Sequence, residues 1–325
     1  VHRPPRALRI ALAALLLACV APVLAQLYPS RPLRLVVPFT PAGATDVLAR
    51  IVGEELSRRL GQPVVVENRP GAGGNLGAQV VAKAAPDGYT LLMAPVSIYA
   101  IAMTLYRDPG FDVSRDFAPV SLVANVPHVL VAHPTLQARS LEQVIALARA
   151  SPATLSIASQ GTGTVSHLEA QMLQERAGLR LVHVPYKGSA PALLDVLGGR
   201  VPLMFDSIAS ALPHIKAGKL NAIAVTGDRR ASLLPAVPTM IEAGLAGYRA
   251  ESWLGVLVPA RTPGPVVERL QREVAALLGD AKVRQTLVER GFEPQPSTPA
   301  QLAERLRSEL TAWAQVVKAA GITVD

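Results

Sequence analysis

The sequence predicts an α/β protein of two lobes, the second inserted into the first. Three observations lead there. Short apolar runs rich in β-branched residues alternate with stretches whose apolar residues recur every three or four positions, the pattern of a mainly parallel sheet covered by helices. Two strand–loop–helix units of the same kind, 33–60 and 155–177, lie one in each half of the chain. Strand-like runs at 117–133 and 251–258 bracket the second unit and read as two crossings between lobes.

The first unit sets the pattern. Residues 33–37 (LRLVV) read as a buried strand, and Pro38 and Pro41 end it because proline cannot donate to a central ladder. Val47, Leu48, Ile51, Val52, Leu56 and Leu60 then mark one apolar helix face. The series continues with a strand at 63–67, a glycine-rich loop at 69–74, a helix at 75–84, a turn at 87–88 and a strand at 89–93. Ser97 is placed to cap a short helix through Leu105. Pro127 separates two strand-like runs within 117–133. The second series reads as a helix capped by Ser140, a strand at 155–159, a loop and helix to 177, and a strand at 181–184. It goes on with a helix at 189–197, a strand at 203–205, a helix at 207–217 and a strand at 222–226. After the second crossing, three helices close the chain at 263–278, 281–290 and 298–319.

The chain of 325 residues is 50% hydrophobic and carries a formal charge of +8, enough for two cored lobes. Arg3, Arg6 and Arg9, an apolar run at 10–20 and small residues at 23–25 predict an export signal over 1–25, with Gln26 as the first mature residue. The apolar run is too short to span a bilayer. Residues 16–19 (LLAC) also allow a lipobox with Cys19 as a lipid-modified N-terminus, but the peptidase site is the better fit. Cys19 is the chain's only cysteine, so the mature protein has no disulfide or thiol chemistry. Positive charge is spread without a run of five, which argues against a nucleic-acid partner.

The glycine runs are not nucleotide sites. Residues 71–77 (GAGGNLG) miss GxGxxG because Leu76 stands at the third glycine position, and they read as a flexible turn. Residues 158–164 (ASQGTGT) miss it too, yet they repeat the logic of the first loop: a strand ends, glycines bring the backbone close, and threonine hydroxyls surround a helix start. Two such loops, one per lobe, can face each other and clamp an anion. Asp46 suits the dipole of the first helix, and Asp206 with Ser207, directly after a strand, reads as a likelier site pair. Ser166 and His167 invite a secreted-hydrolase reading together with Asp206, but adjacent helical residues diverge and no GxSxG elbow exists. His167 reads as structural or as part of the cleft rim. The six histidines show no metal-ligand spacing, and neither metal nor cofactor is expected.

With these segments in place the chain resembles the periplasmic solute-binding receptors of the tripartite tricarboxylate transporters, the Bug proteins. The stretches that carry the resemblance run from Tyr28 to Leu220: YPSRPLRLVVPFTPAGATDVLAR, GQPVVVENRPGAGGNLGA, PDGYTLLM, ASQGTGTVSHL, HVPYKGSAPAL and MFDSIASALPHIKAGKL. It implies a two-lobed Venus-flytrap fold, with a signal at 1–25, one lobe from 26–126 plus 249–325, and the inserted lobe at 127–248. It implies capture of a small carboxylate and delivery to integral-membrane transporter subunits, by a monomer, with no catalysis. A receptor that presents its ligand to a sensory partner is the alternative. The ligand residues it implies are Phe39, Thr40, Ala42, Gly43, Ala44, Thr45 and Asp46 in the first loop. In the second they are Ser159, Gln160, Gly161, Thr162, Gly163 and Thr164, with His167 beside it. Ser97, Lys187, Gly188, Ser189 and Asp206 flank them. The family's first loop is commonly PFPPGG; here Thr40 and Ala42 replace a proline and a glycine, and Ala42 narrows the backbone's freedom.

Overall fold

The computed structural model describes residues 28–319, so the segment read as an export signal, Cys19 included, lies outside the described residues. Two sheets organise the chain. The first, of six strands, has the order β11-β4-β10-β3-β1-β2, and the second, of five, has β7-β6-β8-β5-β9. The first is built from β1 (Leu33–Val37), β2 (Val64–Asn68), β3 (Thr90–Pro95), β4 (Phe117–Val126), β10 (Ser252–Pro259) and β11 (Glu293–Pro294). The second contains β5 (His128–Ala132), β6 (Ser156–Ser159), β7 (Val182–Pro185), β8 (Leu203–Ser207) and β9 (Asn221–Val225). The first sheet thus takes strands from both ends of the chain and the second only from the middle.

Each sheet is buried on both faces, which is why its strands read as continuous apolar runs. In the first lobe α1 (Ala44–Leu60), α9 (Gly264–Gly279) and α10 (Ala281–Glu289) cover one face through Leu48, Val52, Leu56, Leu270, Val274 and Leu287. On the other face lie α2 (Asn75–Ala82), a π-helical turn at Ser97–Ile101 with the short α3 (Ala102–Leu105), and α11 (Pro299–Ala319). A further short helix, α4 (Val113–Asp116), precedes β4. In the second lobe α5 (Leu141–Ala150) and α6 (Val165–Ala177) pack on one face, and α7 (Ser189–Leu197) and α8 (Ile208–Lys216) on the other.

The sheets are mixed, not mainly parallel as the alternation of elements suggested. β1 runs parallel to β2 and β3, and β6 parallel to β7 and β8, whereas β10 runs antiparallel to β3 and β4, and β5 antiparallel to β8 and β9. The connections between the lobes cause the difference. β4 leaves the first lobe and passes through Pro127 into β5, and β10 returns beside it, so Ser252 pairs with Val126 at the crossing. A strand that carries the chain out and a strand that carries it back must run in opposite directions.

Ser97 does not cap a helix. Val96 already has helical angles (φ −50°, ψ −28°), so Ser97 falls inside the turn, and its buried hydroxyl has no partner. Trp253 anchors the return strand: it is fully buried, stacks on Tyr99 with ring centroids 5.6 Å apart, and donates from Nε1 to Glu309 at 3.1 Å.

Candidate functional site

The cleft between the lobes lies at the carboxyl ends of the parallel strands, where strand-to-helix loops from both sheets meet. Its inner end is small, about 30 Å³, room for one or two waters. Gly43, Ala44 and Thr45 line it from the first lobe, and His128, Gln160, Ser189 and Ser207 from the second. An outer chamber of about 390 Å³ opens beyond it, lined by Gly73, Tyr106, Gly161, Thr162, Tyr186 and Lys187 among others. Phe39 and Gln160 border both spaces.

Backbone dominates the inner end. α1 begins after Gly43 and α7 after Gly188, and neither helix start carries a side-chain cap. The first N–H groups of each helix therefore have no intrahelical partner and no capping oxygen. Such groups at the positive end of a helix dipole suit an anion. α8 differs, because Ser207 caps it through the Ser210 N–H at 3.2 Å.

Side chains hold these loops from behind. The Asp46 carboxylate accepts from the Ala42 N–H at 3.0 Å, from Arg50 through two bonds of 2.9 Å and from Asn68 at 2.9 Å. Burial opposes its charge, but Arg50, the Ala42 N–H and Asn68 outweigh that and keep it below the usual carboxylate range. Asn68 also donates to the Phe39 carbonyl at 3.0 Å, tying the loop to β2. Asp46 is thus committed to the loop's architecture, with an exposure of 3%.

The second loop is held by α6 and β7. The Gly163 N–H donates to His167 Nδ1 at 3.2 Å, and the Gly161 N–H to Ser159 Oγ at 3.2 Å, which in turn meets His183 Nε2 at 2.6 Å. His167 and His183 stack 4.0 Å apart. Burial, and for His167 the neighbouring His183, drives their pKa values down to about 3 and about 4, so both rings are neutral. The Thr164 hydroxyl, expected to face the cleft, turns inward instead: it donates to the Gly161 carbonyl at 2.7 Å and is 1% exposed. A helix-start threonine satisfies its own loop first.

Asp206 lies at the floor, fully buried. Its carboxylate accepts from Ser189 Oγ at 2.6 Å, Gln160 Nε2 at 2.7 Å and the Ser207 N–H at 2.8 Å. Burial pushes its pKa up to about 6, partly offset by those donors and by His128. Ser166 Oγ accepts from the Gln160 N–H at 2.9 Å. Ser166, His167 and Asp206 are each engaged elsewhere and form no nucleophile–base–orienter set.

The model of the tripartite tricarboxylate transporter family receptor matches residues 48–322. The chain belongs to that receptor family. It is 39% identical over 302 residues to the protein BugT of Bordetella pertussis, covering 93% of each chain. Rpa4515 of R. palustris, solved with adipate, is 38% identical with a TM-score of 0.89, over 91% of this chain and 99% of that one. MatC of Rhodopseudomonas palustris, solved with bound malate, is 34% identical with a TM-score of 0.85, over 89% and 100%. The two-lobed periplasmic-binding-protein fold and the receptor class follow. Proteins of this family are periplasmic and non-catalytic.

The two expected receptor loops do not converge on one point. Gly43, Ala44 and Thr45 reach the inner end, whereas Gly161 and Thr162 line the outer chamber, with Gln160 between. Lys187 is exposed at the mouth. Thr40 sits at the seam between the lobes: a Cβ on Gly188 would come within 2.5 Å of Thr40 Oγ1, a buried oxygen without a partner. The glycine run read as a flexible turn belongs to this seam as well. A Cβ on Gly73 would meet the Thr162 carbonyl at 2.7 Å, and Tyr106 donates to that carbonyl at 3.1 Å. His128, Pro95, Ser252 and Leu254 line the inner end without any loop motif to mark them. His128 and Ser252 had only their position beside the crossings as a signal, and Pro95 comes in by pairing with Leu254 of β10.

Ala42 adopts φ +68°, a conformation that favours glycine, where the family pattern has one. Left-handed backbone costs an L-residue about 1–2 kcal/mol, and glycine's extra unfolded freedom returns about 0.5–1. Ala42→Gly is therefore expected to stabilise the protein by about 0.5–1 kcal/mol in urea unfolding, and a destabilised variant would count against strain at this loop.

The buried neutral histidines set a pH dependence. A histidine whose folded pKa is depressed adds stability above its unfolded value of about 6.5 that is lost as pH falls below it. For His167, whose folded value is about 3, the loss at pH 5 is about 2 kcal/mol. His167→Gln keeps an acceptor for Gly163 but cannot titrate. Unfolding free energies at pH 7 and pH 5 should therefore differ less in this variant than in the parent, by about that amount. Equal differences would mean that His167 titrates normally.

Proposed function

We propose that this receptor captures a small carboxylate in the cleft and delivers it to the membrane subunits of a tripartite tricarboxylate transporter. The observation that carries the reading is the pair of uncapped helix starts, at Gly43 and Gly188, in and beside an inner end that no lysine or arginine lines. Backbone N–H groups supply directed donors for a carboxylate. Adipate and malate in the two related structures support the same ligand class. Phe39, Gly43, Ala44, Thr45, Gln160 and Ser189 surround the carboxylate. Gly161, Thr162, Gly188 and Lys187 border the rest of the molecule, Thr40 and Ala42 shape the first loop, and Ser97 flanks the site. Ser159, Gly163, Thr164, His167, Asp46 and Asp206 position these groups. The protein works as an exported periplasmic monomer without a nucleic-acid partner, and residues 1–25 act as its signal.

The test starts with the protein as it is purified. Mass spectrometry of small molecules released on denaturation is expected to give a mono- or dicarboxylate. Titration with that acid should raise the melting temperature, because a ligand at one hundred times Kd stabilises the folded state by about 2.7 kcal/mol. Its methyl ester or amide should lose most of the shift. An ester that binds as well as the acid would sink the carboxylate reading.

The lobes divide at 126/127 and 248/249 and close about these two crossings. At the mouth of the cleft the lobes meet through glycines and the single bond from Tyr106 to the Thr162 carbonyl, which supports opening there about the two crossings. Small-angle scattering should show a smaller radius of gyration at saturating acid than without it. Identical curves would argue for a cleft that does not move.

A further inference from the structure

His128 opens β5, directly after the first crossing, and lines the inner end of the cleft. Its Nδ1 lies 2.8 Å from Glu169 Oε2, and Glu169, on α6, is completely buried. The second carboxylate oxygen of Glu169 has no hydrogen-bond partner among the described residues, so His128 is the cation that faces that carboxylate. The ring's other nitrogen, Nε2, forms no hydrogen bond within the described residues. Asp206, at the end of β8, is the second acid that acts on the ring. The other neighbours, Ser207 across the strand pair and the Thr226 N–H on the His128 carbonyl, are uncharged.

We propose that His128 is an imidazolium held by the buried Glu169 carboxylate, and that its Nε2–H is the cationic donor which receives an anionic oxygen of the ligand opposite the start of α1. The inference rests on the carboxylate reading above and assigns that site its specificity-determining side chain. The geometry explains the role. With Nδ1–H given to Glu169, a neutral ring would present a bare Nε2 lone pair to the cleft and repel a carboxylate. A second proton turns that acceptor into a charged donor and neutralises the buried pair. Burial alone disfavours the charged ring, but Glu169, by charge and hydrogen bond, and Asp206 raise its pKa above the ordinary histidine value. The favourable state is then complete below that raised value and is lost as pH rises through it.

Both partners belong to the second lobe, so the charge state can be read without ligand. Nitrogen-15 spectra of the ligand-free protein at pH 7 should show His128 protonated on both nitrogens. Titration calorimetry with succinate, malate and adipate should then show affinity falling as pH rises. Above the His128 pKa, binding should take up a proton, seen as an enthalpy that depends on the buffer's ionisation. His128→Gln should lower affinity by tenfold or more and abolish the proton uptake. Glu169→Gln should lower affinity at pH 7.5 and recover much of it at pH 5.5, a rescue that a merely structural role would not give. A bare Nε2 at pH 7 would overturn the proposal. So would a folded His128→Gln protein whose affinity lies within twofold of the parent with proton uptake unchanged. If none of the three acids binds, the carboxylate reading fails, while the spectra still decide the state of His128.

Discussion

Two helices, α1 and α7, begin at the cleft with no side chain over their first turns. That omission constrains what surrounds it. An N-cap residue stabilises a helix by about 1 kcal/mol, and a protein that forgoes it must fix the loop in another way. Here the support comes from behind. Asp46 sits within α1 and reaches back to the Ala42 N–H, while Arg50 and Asn68 hold its carboxylate. The second loop is fixed in the same way by His167, one turn into α6, which accepts from Gly163. In the second loop side chains take up the N–H groups of Gln160, Gly161 and Gly163, whereas in the first only the Ala42 N–H is consumed and the start of α1 keeps its donors.

The same division explains what the sequence disclosed. Apolar spacing placed nearly every helix and strand, because each sheet is buried on both faces and each helix has one apolar stripe. Direction was harder to read. Strand–helix alternation implies parallel neighbours, but a strand that crosses between lobes takes its direction from the connection, and nothing in ESWLGVLV reports that. The first loop was legible through its proline and glycine pattern. Thr164 and Asp46 bond within their own loops, to the Gly161 carbonyl and to Ala42 and Arg50, which residue type alone does not disclose because it shows that a group can bond and not which partner claims it. His128 carried no motif. It enters the site because Pro127 turns the chain there and because Glu169, forty-one residues on, folds back beneath it.

The seam between the lobes shows why glycine recurs in loops that match no nucleotide fingerprint. Gly73 lies against the Thr162 carbonyl, Gly163 against Leu105, and Gly188 against Thr40, where a Cβ would force a neighbour to move. At the mouth of the cleft the polar link is the bond from Tyr106, while deeper in, Val165 and Leu168 of α6 are buried in the first lobe's apolar cluster. The proposed closure then depends on a ligand with greater affinity for the closed arrangement, which is the only way binding shifts such an equilibrium.

Three acids lie near the cleft, and the fold treats each differently. Asp46 is compensated by Arg50 and stays ionised. Glu169 has His128, and one of its oxygens goes unmatched. Asp206 accepts hydrogen bonds only from neutral donors, and burial lifts its pKa to about 6, partly offset by those donors and by His128. Its function is visible in what it consumes. By accepting the Ser189 hydroxyl proton and one amide hydrogen of Gln160, it fixes both side chains. Ser189 Oγ then keeps only its lone pairs, and Gln160 one N–H not used by Asp206. A neutral residue in place of Asp206 would leave those two groups free to rotate. The buried acid therefore sets the donor and acceptor pattern of the inner end without itself facing the ligand, and its own desolvation is the cost of that order.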